Sequence, residues 1–230
     1  MIEFELADRV SRVTFNRPEA SNAFTGAMTR QLLDALRNAR DAADILTIEA
    51  VGPDFTIGRD RSEPKSGTLY DTFKLISDLN KAIAAFPGLT IIAARGRVFG
   101  FAVGLLMRSD LAIVSDDARF VLDEVKHGFP PTFIMEEILQ HLPAKRALDL
   151  ILSGREWNAT EALDIGLVSR VVARDTFDGV IKNFVAELKQ HNRRAVLTCK
   201  QYIRKVASMP PEARSAYAFQ ETMRFFTESE

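Results

Sequence analysis

The sequence predicts an α/β protein in which at least part of the sheet is parallel. Apolar, strand-like runs at 45–51 and 90–94 are separated by a helix-like run at 69–85, and parallel neighbours need a crossover of that kind. A turn punctuated by Gly96 and Gly100 then joins the 90–94 strand to a short apolar helix and a further strand at 111–114. After Phe129 the pattern becomes helical.

The elements follow in order. Residues 2–6 and 10–15 alternate apolar and polar, with Asp8-Arg9 between the runs, and read as a hairpin. Thr25 is an N-cap for a helix running to about residue 40, with Met28, Leu32, Leu36 and Ala39 on one face. The stretch 52–67 is rich in Gly, Pro and charge, the composition of a long functional loop. Phe73, Ile76, Leu79, Ile83 and Phe86 then recur at helical spacing. Further on, helices are expected at 144–152, at 161–165 behind a Thr160 cap, and at 178–189, 195–207 and 212–226, with an extended piece at 167–172. The domain division expected is a core over 1–172 and a helical region over 173–230.

Composition narrows the function. Thirty basic and 31 acidic residues leave a net charge of −1, which gives no electrostatic case for nucleic acid or a membrane surface as partner. No run approaches the roughly 20 apolar residues of a membrane span, and residues 1–6 have neither the basic start nor the apolar run of a secretory leader. Cys199 is the sole cysteine, which excludes an intrachain disulfide and fits a reducing, cytoplasmic setting. His127, His141 and His191 are scattered, so no metal site is expected.

The chemistry concentrates between residues 91 and 131. A strand that ends in Gly and restarts as a helix leaves backbone N–H groups free at the helix start, where they suit a negative charge developing on a substrate oxygen. Downstream, Phe120-Val121-Leu122-Asp123-Glu124-Val125 sets acidic residues in an apolar stretch ahead of His127-Gly128-Phe129-Pro130-Pro131. An acid so placed is a candidate proton shuttle. Together these features describe a site that stabilises an enolate.

Five segments extend this reading: Ser21-Asn22-Ala23-Phe24, Asp54-Phe55-Thr56-Ile57-Gly58-Arg59-Asp60, Gly96 through Asp110, Ala118 through Pro131, and Ser153 through Val168. In order and spacing they resemble the crotonase superfamily, the enoyl-CoA hydratase/isomerase family. The resemblance implies a crotonase-like (ClpP/crotonase) spiral of ββα units followed by a C-terminal helical region that trimerises the protein. It implies an acyl-CoA thioester as substrate, a homotrimer or dimer of trimers, and no cofactor, CoA being part of the substrate.

Carried over by position, the backbone N–H groups of Arg59 and Phe101 correspond to the family's oxyanion hole, and Glu124 to its second catalytic glutamate. Asn22, Ala23, Phe24, Ile57, Gly58, Asp60, Arg61 and Gly100 fall on substrate- and CoA-contacting positions, and Arg59, Arg61 and Lys65 are candidates for the CoA phosphates. The family's first glutamate position holds Gly104, and a third, used by some relatives, holds Thr132. A bulky Phe101 stands where a small residue is usual. One base suffices to move a double bond, whereas hydration is usually served by two carboxylates. The expectation is an enoyl-CoA isomerase. The alternatives are a hydratase or other acyl-CoA lyase, with Asp123 or His127 as second acid, and a crotonase-fold protein that binds CoA with little turnover.

Overall fold

The opening hairpin forms across two left-handed residues. Strands β1 (Ile2–Ala7) and β2 (Val10–Phe15) pair antiparallel, and Asp8 and Arg9 between them have φ of 51° and 60°, the twist a two-residue hairpin turn requires. The computed structural model describes residues 1–64 and 67–227. Helix α1 (Gly26–Ala39) starts at Thr25, whose side-chain oxygen accepts the Met28 N–H, and buries Met28, Leu32, Leu36 and Ala39. Strand β3 (Ile45–Ala50) lies parallel to β2. Helix α2 (Leu69–Ala84) opens with a reciprocal cap between Thr68 and Asp71, and β4 (Leu89–Ala94) returns parallel to β3.

At this point the chain changes sheet. Gly96 has φ of +59°, and a Cβ there would stand 2.1 Å from the Pro53 carbonyl oxygen, so only glycine passes. The chain then forms β5 (Arg97–Phe99), α3 (Phe101–Arg108), β6 (Leu111–Ser115) and β7 (Arg119–Val121). Next come α4 (Thr132–Ile138), α5 (Ala144–Ser153), β8 (Trp157–Asn158), α6 (Ala159–Asp164) and β9 (Arg170–Val172). Helices α7 (Phe177–Leu188), α8 (Arg193–Ala207) and α9 (Pro211–Thr227) end the described chain.

The larger sheet has the order β1-β2-β3-β4-β6-β9 and is parallel throughout except for the hairpin. The smaller one, β5-β7-β8, is absent from the sequence reading because its strands are two or three residues long. Thr56 bridges Val98 and so adds the long loop to its edge. Phe15, Phe24 and Phe55 pack between these parts, with ring centroids 4.8–4.9 Å apart about Phe15.

Three boundaries differ from expectation. The cap of α6 is Asn158, whose side chain accepts the Glu161 N–H, and Thr160 lies inside the helix. The extended piece at 167–172 narrows to β9. The chain divides into compact units at 1–186 and 187–230, beyond the expected break after 172, because Phe177 and Ile181 of α7 are buried and Arg95 covers the Phe177 ring at 5.0 Å.

Within the second unit, Tyr202 stacks on Tyr217 and Arg194 lies over Phe225. A cleft of about 500 Å³ runs beside Arg194, Thr198 and Glu221. Ile203, Phe219 and Phe226 stay exposed. Among the described residues, no helix is long and apolar enough to cross a membrane, and no cluster of three His, Cys, Asp or Glu is placed to hold a metal ion.

Candidate active site

Asn22 fixes the first wall of the site from inside the protein. It is fully buried, with φ of 53°. Its amide donates to the carbonyls of Val51 and Asp54 at 2.9 Å each and accepts the Arg17 N–H at 2.8 Å. The Asn22 side chain is thus consumed by the fold, so a CoA contact at this position falls to its backbone. The same holds for Asp60, whose carboxylate takes the Ser62 hydroxyl and N–H and the Arg17 guanidinium, contacts that hold its pKa at about 2. Ala23, Phe24 and Gly58 are buried, which leaves Ile57, Arg59 and Arg61 exposed on this wall. Lys65 lies outside the described residues.

This packing aims one N–H group outward. The Phe24 N–H donates to the Gly58 carbonyl and the Asp60 N–H to the Phe24 carbonyl, both at 2.8 Å. In a parallel bridge of this kind the intervening residue points its own N–H the other way. The Arg59 N–H accordingly finds no acceptor among the described residues.

A second such group begins α3. Gly100 precedes the helix with φ of 60° and ψ of −126°, and the Phe101 N–H has no acceptor among the described residues, as befits a first helical residue. Phe101's ring packs onto buried Phe24, centroids 4.7 Å apart. Gly58 and the Phe99 carbonyl lie in contact, a Cβ on Gly58 reaching that oxygen at 3.4 Å, which brings the Arg59 loop alongside the Gly100–Phe101 turn.

Glu124 faces that turn. A Cβ on Gly100 would stand 3.2 Å from Glu124 Oε1. Glu124 Oε2 is buried without a hydrogen-bond partner among the described residues, a state that costs about 1–3 kcal/mol and is uncommon unless a function retains it. Burial raises the Glu124 pKa. Asp123 adds to the rise, while Arg61 and His127 oppose it. These neighbours form a cluster of their own: His127 Nε2 lies 2.9 Å from Asp123 Oδ2 and 2.6 Å from Arg61 Nη1. Both Asp123 and His127 are thus engaged with each other and with Arg61.

Position 104, empty of an acid, is filled by a buried cation. A Cβ on Gly104 would lie 3.1 Å from Arg108 Nη1. Arg108 is buried and donates to the carbonyls of Gly104 and Phe133, with Glu137 3.5 Å away. Thr132 opens α4 on the surface.

Sequence reasoning missed the residues that position the loop. Asp54, buried, accepts the Arg97 N–H at 3.0 Å and its guanidinium at 2.6–3.0 Å, which lowers the Asp54 pKa. Thr56 donates to the Asn22 carbonyl and accepts the Gly58 N–H. The signal available was an acid and an arginine flanking the two glycine turns, yet 43 residues separate them.

The match to known proteins agrees with this fold. Residues 5–230 match the model of the family described as enoyl-CoA hydratase/isomerase. A Mycobacterium leprae protein named a probable enoyl-CoA hydratase is 33% identical over 203 residues, covering 86% of this chain and 78% of the relative. The trans-2-decenoyl-[acyl-carrier-protein] isomerase of Streptococcus mutans is 26% identical, covering 88% and 81%. A Thermobifida fusca structure in complex with acetoacetyl-CoA superposes with a TM-score of 0.88 at 23% identity, covering 99% of this chain and 95% of that one. The chain belongs to the enoyl-CoA hydratase/isomerase family, within the crotonase superfamily, and has the crotonase fold.

Proposed function

We propose that this protein is an enoyl-CoA isomerase that moves a double bond through a thioester enolate with Glu124 as its single base. The carrying observation is the buried, unpartnered carboxylate oxygen of Glu124 beside Gly100, with Arg108 and no second acid at position 104. In a 3-enoyl thioester, Glu124 takes a proton from C2, and the C–H electrons move into the conjugated system to leave a dienolate. Its oxygen sits between the Arg59 and Phe101 N–H groups, which bind the enolate more tightly than the ground-state carbonyl. Glu124 then returns the proton to C4, and the double bond rests between C2 and C3.

The S. mutans isomerase and the acetoacetyl-CoA complex of the T. fusca neighbour support an acyl thioester substrate. CoA arrives as part of that substrate and no cofactor is needed. The exposed apolar side chains of α8 and α9 support self-association, as a trimer or dimer of trimers.

A hydratase is the second reading, favoured by the name of the M. leprae relative. The test is steady-state turnover of matched 3-enoyl- and 2-enoyl-CoA. Isomerisation of the first should exceed hydration of the second, and the reverse order would favour the hydratase.

A further inference from the structure

We propose that the acyl group taken by this site ends in an aromatic ring, received on a shelf made by Phe73, Phe129 and Phe133. The inference rests on the isomerase reading for the position of the thioester carbonyl and adds what is attached to it.

The apolar face of α2 continues beyond the core. Ile83 and Leu79 are buried, Ile76 and Phe73 are half-buried, and Leu69, on the same face, is 73% exposed. Phe129 covers part of this overrun. Its ring stacks on Phe73 with centroids 5.6 Å apart and 10° between the planes, and Phe133 leans in at 6.3 Å.

Phe129 is also tied to the base, since its N–H donates to the Glu124 carbonyl at 3.0 Å. Two prolines follow it and stiffen the backbone. The residue carrying the base therefore carries the shelf with it. Phe129 remains 39% exposed, so the stacked pair leaves aromatic surface open to a third flat group. Aromatic rings prefer offset-stacked partners, and a ring gives up less conformational freedom on such a surface than a flexible alkyl chain of equal area. Through the Phe129–Glu124 hydrogen bond this surface neighbours the residue that carries the base, and in the proposed pose the acyl chain runs from a carbonyl at Arg59 and Phe101 past Glu124 onto it.

The test compares 5-phenylpent-3-enoyl-CoA with oct-3-enoyl-CoA, which offers similar apolar area without a ring. Wild-type kcat/KM should favour the phenyl substrate by about tenfold, and Phe129→Leu and Phe73→Leu should reduce that preference to within about twofold. Calorimetry with the unreactive 5-phenylpentanoyl-CoA and octanoyl-CoA, which keep the ring and the chain end at the same distance from the carbonyl, reads the same preference without turnover. Binding preference without turnover of any thioester would retain the shelf and sink the isomerase. Turnover with no phenyl preference, or a preference the variants keep, would overturn the shelf. Light scattering supplies the last arm: a Phe129→Asp variant that changes assembly mass while leaving the phenyl preference intact would assign the surface to a second copy of the chain and overturn the proposal.

Discussion

Glu124 Oε1 lies 3.2 Å from where a Cβ on Gly100 would stand, and Gly100 itself has φ of +60°. The glycine that starts α3 and the carboxylate that faces it therefore occupy one space. Gly100→Ala should lose about 1–3 kcal/mol of stability to backbone strain and, by displacing the carboxylate, about 10–100-fold in turnover. Thermal unfolding and steady-state rates check this. An alanine variant with full activity would mean that Glu124 does not work from this position.

The raised pKa of Glu124 sets two pH dependences. A base must be ionised to act, so kcat/KM should rise with pH through an apparent pKa above the ordinary 4.5. Asp123→Asn removes a charge that adds to the rise and should move the profile down. Arg61→Ala removes one that opposes it and should move the profile up. A profile indifferent to both changes would contradict the assignment.

Stability should carry the opposite mark. Because the folded-state pKa lies above the unfolded one, the protein loses stability as pH climbs from the unfolded value through the raised folded value. Glu124→Gln should therefore melt about 2–4 °C higher than wild type at pH 7. The gap should close as pH is lowered through the glutamate range. A variant less stable than wild type at pH 7 would show that the carboxylate has a partner.

Asn22 should behave as a structural pin. Asn22→Ala removes the partner of two carbonyls, one of them buried, and of one N–H and should cost about 2–3 kcal/mol. Denaturant unfolding measures it. A stable variant with weakened CoA binding would assign the Asn22 side chain to the ligand instead.

A single base that holds its proton predicts label transfer. A 3-enoyl thioester deuterated at C2 should deliver part of its deuterium to C4 when turned over in ordinary water, read by mass spectrometry or NMR. Complete exchange with solvent at every turnover would favour separate proton donors.

Much of the fold around this site was legible in the residue order. The Thr25 cap, the α2 face and the 90–94 strand followed from periodicity, and Glu124 stood out as an acid in an apolar run. The small sheet was not legible, because strands as short as β5 and β8 carry no periodicity and depend on partners far along the chain. Nor was the orientation of Phe101. In sequence it is only a bulky residue where a small one is usual, and its ring packs on Phe24, a contact between segments that only the fold brings together. The internal hydrogen bonds of Asn22 and Asp60 were hidden for a related reason. Polar residues in a ligand-binding turn serve the turn first, and Arg17 and Asp54, which show where their hydrogen bonds go, lie on neighbouring segments.

The central claim is that Glu124 alone moves the proton. The most direct measurement follows isomerisation and hydration with the same acyl-CoA chain in wild type and Glu124→Gln, with circular dichroism and CoA binding confirming an intact protein. Loss of general acid–base catalysis predicts an isomerase rate lower by about 10²–10⁴-fold in the variant, with binding preserved. Full isomerase activity in Glu124→Gln, or wild-type hydration far faster than isomerisation, would contradict the account.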